Sequence, residues 1–150
     1  MKITDALLGE HGAFYAQFDR LEAELPRAGG VAEVREQAAL LSAALVSHAH
    51  LEDELLFERL GRVSAADPGL LAVMAEEHER IAGALTKAQS TADLATGRSL
   101  LLEAVAEARE HFAKEERAVF PLAESLLGAA VLEELGAAWA ARRAVYVEGS

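Results

Sequence analysis

Four stretches of this 150-residue chain repeat apolar residues at alternating spacings of three and four, and each stripe is interrupted by one histidine. The first reads Leu8, His11, Tyr15, Phe18, Leu25 once Glu22 is skipped. The second reads Val34, Ala38, Leu41, Leu45, His48, Glu52, Leu55. The third gives Leu71, Met74, His78, Ile81, Leu85, and the fourth gives Leu101, Val105, Ala108, His111, Glu115, Ala118, Leu122. Such spacing belongs to helices that bury one face. Six polar side chains, His11, His48, Glu52, His78, His111 and Glu115, are therefore predicted to face one apolar interior.

Punctuation sets the helix boundaries. Breaks fall at Pro26 to Gly30, Gly61 to Gly69, Ser90 to Gly97 and near Gly128, while alanine and leucine dominate the rest. The predicted helices run from about Thr4 to Leu25, Val31 to Leu60, Pro68 to Gln89 and Leu94 to Leu127, the fourth with a kink or stop near Pro121. Asp67 before Pro68 reads as an N-cap followed by a first-turn proline. A fifth, shorter helix from Val131 to about Val145 is expected to lay Trp139, Val131, Leu132 and Leu135 over the others. Short connections between long helices make antiparallel neighbours. The expected fold is all-α, an up-down-up-down four-helix bundle with a short C-terminal helix, formed by residues 1–150 as a single domain.

Composition narrows the partners. Fourteen basic residues against 25 acidic ones give a net charge of −11, which argues against nucleic acid and against an anionic membrane surface. No apolar run approaches the ~20 residues that span a bilayer, and the N-terminus lacks a secretory h-region. With no cysteine there are no disulfides, thiolate metal sites or Cys nucleophile. A cytoplasmic location is expected; the sequence names no protein partner.

Burying Glu52 and Glu115 without compensation costs several kcal/mol each, and no Lys or Arg lies on these stripes to pair with them. A bound cation is the simplest compensation, because neutral imidazole and carboxylate together are a normal ligand set for iron, manganese or zinc. The i, i+4 spacing puts each His–Glu pair on one helical face, so both can reach one centre. An internal repeat agrees: setting Phe57 against Phe120 aligns His48-Ala49-His50-Leu51-Glu52-Asp53 with His111-Phe112-Ala113-Lys114-Glu115-Glu116. Two helical hairpins related by a pseudo-two-fold axis would present two half-sites to a pair of metals.

His11, His48 with Glu52, His78 within Glu76-Glu77-His78-Glu79-Arg80, and His111 to Glu116 followed by Val119-Phe120-Pro121 together resemble the hemerythrin-like, or HHE cation-binding, family. The likeness covers nearly the whole chain, including Leu135 to Arg143. It implies a non-haem di-iron centre inside a four-helix bundle. Glu52 and Glu115 would bridge the two iron ions together with an oxo or hydroxo group. His11, His48, His78 and His111 would be terminal ligands. The chain also departs from the pattern of oxygen carriers in this family. Where they have a fifth histidine, one turn before the third-helix ligand, this chain has Met74. Where they have an aspartate in the last motif, it has Glu116; the repeat with Glu52 keeps Glu115 as the ligand. Losing a histidine leaves an open position on each iron, which argues against reversible oxygen carriage and toward a more reactive centre for peroxide, oxygen or nitric oxide.

Around this set, His50 serves as a control. It sits about 200° round the helix from His48 and is expected outside the site. Asp53, Glu54, Glu77 and Glu116 are expected on a solvated rim, with Glu77 or Glu116 placed to accept from a ligand N–H. Tyr15, one turn after His11, is positioned for core packing, for a hydrogen bond to a ligand, or for a metal itself. Three functions stay open: binding or reducing a small oxidant or gas, with peroxide disproportionation as the enzymatic version; iron buffering or a structural metal without redox turnover; and a metal-free bundle used for protein interaction.

Overall fold

The computed structural model describes residues 1–63 and 65–145, and among them there is no strand. Helix α1 (Ile3–Glu24) closes in a 3-10 turn at Leu25–Arg27. Helix α2 (Val31–Leu51) passes through a π-helical stretch (Glu52–Phe57) into the short α3 (Glu58–Gly61). After a turn come α4 (Pro68–Ser90) and α5 (Leu94–Lys114), and a second π-helical stretch (Glu115–Val119) joins α5 to α6 (Phe120–Arg143). Four long rods result, α1, α2–α3, α4 and α5–α6, as the apolar stripes predict. None of these helices is long and apolar enough to cross a membrane.

Local chemistry fixes the ends. Asp67 accepts from the backbone N–H groups of Gly69 at 3.0 Å and Leu70 at 3.1 Å, and Asp93 accepts from that of Thr96 at 2.8 Å. Each satisfies N–H groups that a helix leaves without an internal partner. Pro121 neither stops nor kinks the fourth rod. It sits in the first turn of α6, just after a π-helical stretch, where its missing N–H is tolerated. The break comes instead at Gly128, whose φ of 76° and ψ of 162° lie outside the helical region. That conformation is accessible almost only to glycine, and it turns the last part of α6 into a separate arm.

The rods pack in pairs: α1 against α5 and α6, α2 against α4 and α5, and α4 against α5. Two apolar clusters form inside. One gathers Phe14, Phe18, Leu41, Leu85, Leu101 and Phe112; the other gathers Ile3, Leu7, Leu56, Met74, Phe120 and Leu132. The predicted polar residues fall between these clusters in every rod. The arm closes the second cluster with Leu132 and Leu135. Gly136 lets the arm lie directly on the N-terminus, since a Cβ there would overlap the carbonyl oxygen of Met1.

Register departs from expectation at specific points. Leu8 is 44% exposed, because the buried stripe of α1 runs through Ile3, Leu7, His11, Phe14, Phe18 and Leu21. Past Glu52 the buried residue is Leu56 rather than Leu55, and past Glu115 the buried residues are Val119 and Ala123 rather than Ala118 and Leu122. Both slips have one cause. A π-helical turn holds an extra residue, so every position after it rotates by one.

Candidate metal centre

Each rod delivers its polar residue to the same level. Two groups of side chains converge there, His11, His48, Glu52 and Glu115 in one, and Glu52, His78, His111 and Glu115 in the other. Each residue offers one donor atom within 4.8 Å of the others in its group. The groups share both glutamates, so the six residues form two half-sites with two common carboxylates. All but His78 are at most 1% exposed. The four Nε2 atoms and all four carboxylate oxygens of Glu52 and Glu115 have no hydrogen-bond partner. His111 Nε2 nevertheless lies 2.7 Å, and His11 Nε2 3.2 Å, from oxygens of Glu115.

Those orphaned atoms are explained by what holds the other side of each ring. His11 Nδ1 is 2.9 Å from Glu116 Oε1, His48 Nδ1 is 2.6 Å from Glu10 Oε2, His78 Nδ1 is 3.2 Å from Asp53 Oδ1, and His111 Nδ1 is 2.8 Å from Glu77 Oε2. An ionised carboxylate can only accept, so the imidazole proton belongs on Nδ1, and Nε2 turns a bare lone pair inward. Four inward lone pairs beside two carboxylates leave acceptors facing acceptors. Only protons or cations placed between them make that arrangement stable.

The charge pattern agrees. Burial, reinforced by the neighbouring Glu115, pushes the Glu52 carboxyl well above its usual range. Glu115 is held well below that range: burial opposes its charge, but His11, His111 and His78 outweigh it. Burial also opposes charge on His78, yet contacts with Asp53, Glu115 and Glu52 push its imidazole up to about 11. Without a cation, then, protons on Glu52 and His78 take the compensating role.

Packing immobilises the rings. Phe112 stacks on His11 with centroids 3.9 Å apart and planes 10° from parallel, and Phe57 stacks on His78 at 5.8 Å and 6°. Both π-helical stretches begin at the inward glutamates, Glu52 and Glu115. The first contains no proline, so a proline is not required to form one. The internal repeat supplies the pattern: Phe57 and Phe120 occupy matching places, and Phe120 stacks on His11 as Phe57 does on His78.

All six residues singled out in the sequence come together here. The control holds: the His50 side chain is 66% exposed and pairs with Glu54. Glu77 leaves the expected rim, being only 6% exposed, because it sits beneath His111 and is hydrogen-bonded by Lys114. Glu116 and Glu77 both take the accepting role expected of one or the other, Asp53 also holds a ring instead of standing on a plain solvated edge, and Glu54 stays outside. The Tyr15 hydroxyl donates to Glu116 at 2.9 Å, the carboxylate that holds His11. Glu10 is missed by the apolar-stripe reading, although a signal exists. It precedes His11 as Glu77 precedes His78, and each of these acids holds the histidine of the neighbouring rod.

A cleft of about 240 Å³ opens between α2 and α4 and reaches His48, His78 and His111, with Leu45, Ile81 and Leu85 on its apolar walls. It also touches Ala82, one turn after His78. The matching place after His11 holds Tyr15, a side chain large enough to close that side.

A sequence model described as the hemerythrin HHE cation binding domain matches residues 2–123. No curated protein and no solved structure matches the chain.

Proposed function

The chain belongs to the hemerythrin HHE cation-binding domain family, and from that premise we propose that it is a non-haem di-iron protein that binds or reduces a small oxidant: oxygen, hydrogen peroxide or nitric oxide. The observation that carries this reading is the convergence of four unpartnered Nε2 atoms on two unpartnered, shared carboxylates. His11 and His48 would hold one ion, His78 and His111 the other, with Glu52 and Glu115 common to both. We take residues 1–150 as one such domain. Imidazole with carboxylate is a donor set suited to iron, and with four protein donors in each half it leaves room for an exogenous ligand. Two ferrous ions there would supply two electrons to a bound oxidant.

The rest is done by the chain's own residues. Asp53, Glu77, Glu116 and Glu10 fix the ring tautomers, so that no rearrangement is needed before a cation binds. Phe112, Phe57 and the two apolar clusters keep bulk water from the centre. The α2–α4 cleft is the entry path. At about 240 Å³ it holds several molecules the size of water, each of which fills roughly 30 Å³ in the liquid, but no large substrate. It favours a reacting site over simple iron storage, because its apolar walls lead from the surface to three ligand rings.

The test is rapid mixing of the reduced, iron-loaded protein with oxygen, peroxide or nitric oxide, followed by visible absorbance. At least one of them should oxidise or bind the centre within the mixing experiment. Ala82→Tyr, which puts the Tyr15 side chain on the open side, should slow that reaction at unchanged iron content. An iron-loaded protein inert to all three would overturn the reading.

A further inference from the structure

We infer that the C-terminal arm of α6 positions one half of the metal centre: Arg143 and Trp139 clamp Glu10 against His48, so that docking of the arm and cation binding by the His11–His48 half are coupled. The inference rests on the two-ion reading above. It begins with a break in the internal repeat. Glu77, which holds His111, is hydrogen-bonded by Lys114 of the same hairpin. The repeat sets Leu51 against Lys114, and Leu51 is a buried apolar residue. The first hairpin therefore brings no cation of its own to Glu10, the acid that holds His48.

The arm supplies one instead. Arg143 Nε donates to Glu10 Oε1 at 2.7 Å and Nη2 to Oε2 at 3.2 Å, a forked contact across both oxygens. Trp139 Nε1 donates to Oε1 at 3.0 Å. Arg143 Nη1 reaches the Ser47 hydroxyl, next to His48 in the chain, at 2.6 Å. Glu10 Oε1 thus accepts from both Arg143 and Trp139, while Oε2 accepts from Arg143 and lies 2.6 Å from His48 Nδ1. Arg143 and Trp139 both lie beyond residue 123, where the family match ends, short of the Leu135 to Arg143 tail that the sequence likeness includes. The two half-sites are consequently unequal: one is braced from within its hairpin, the other only while the arm is docked.

The experiment is a titration of the metal-free full-length chain with Co²⁺, read by its visible ligand-field bands, with helicity and melting temperature recorded alongside. The wild type should take up two ions. Arg143→Ala should weaken one step by about tenfold or more, the usual effect of removing a group that orients a ligand, and leave the other step in place. The weakened step should be the one that His48→Ala abolishes. Arg143→Lys should recover part of the loss, and Arg142→Ala, which removes only a surface pair with Glu54, should change neither step. Trp139→Phe keeps an aromatic side chain there and deletes the indole N–H donor, so it should shift the same step less; it decides the matter even if Arg143→Ala does not fold. An unchanged Arg143→Ala, or both steps weakening together with the melting temperature, overturns the inference alone. A wild type that takes up fewer than two ions overturns the two-ion reading as well.

Discussion

Glu52 shows at the residue scale how a site built for a cation strains a chain that lacks one. Both its oxygens are buried without a partner, a condition that costs about 1–3 kcal/mol. Glu52→Leu should therefore stabilise the metal-free protein by an amount of that order in chemical denaturation while abolishing ion uptake. A metal-free bundle for protein interaction would show the gain without the loss, since it has no uptake to lose. The protons that replace cations give a pH signature. His78, raised from its ordinary 6.5 to about 11, contributes to the metal-free fold fully below pH 6.5, and that contribution is lost as pH rises toward 11. Melting temperatures of the metal-free protein should fall across that window. Ion uptake should run the other way, tightening as pH rises and releasing protons into a weakly buffered solution. Six residues of the site were legible in the sequence because a charged or polar group on an apolar stripe is anomalous in one dimension. Glu10 was not, because it lies off the apolar stripe, and its one signal is that it precedes His11 as Glu77 precedes His78.

Elements carry a different lesson. Stripe spacing identified every rod and stayed in register up to Glu52 and Glu115, then failed by one residue beyond each. A π-helical turn leaves no mark in composition, so the shift beyond each glutamate is not readable from the stripes. The same spacing placed Leu8 inside because it was anchored on His11 and Tyr15, whereas α1 uses Phe14. Gly128 was legible as punctuation, and its conformation explains why it matters. Gly128→Ala forces a Cβ residue into φ 76°, ψ 162°, a cost of about 1–3 kcal/mol. Equilibrium denaturation should show that loss, since the turn into the arm depends on this single residue.

Taken whole, the molecule is two helical hairpins whose symmetry is broken in two useful places. Tyr15 closes one side where Ala82 leaves the other open, and Arg143 stands in for a lysine that the first hairpin lacks. Two apolar clusters enclose a polar layer rich in negative charge: six carboxylates meet four imidazoles there, and among the described residues Lys114, Arg80 and Arg143 are the fixed cations that reach those acids. The most direct test is metal content per chain, by elemental mass spectrometry on protein produced in iron-sufficient medium and purified without chelator or affinity metal. Close to two irons per chain in the wild type, and none in Glu52→Leu, is the predicted result. Zinc in place of iron, a single ion, or no metal in the wild type would contradict the account.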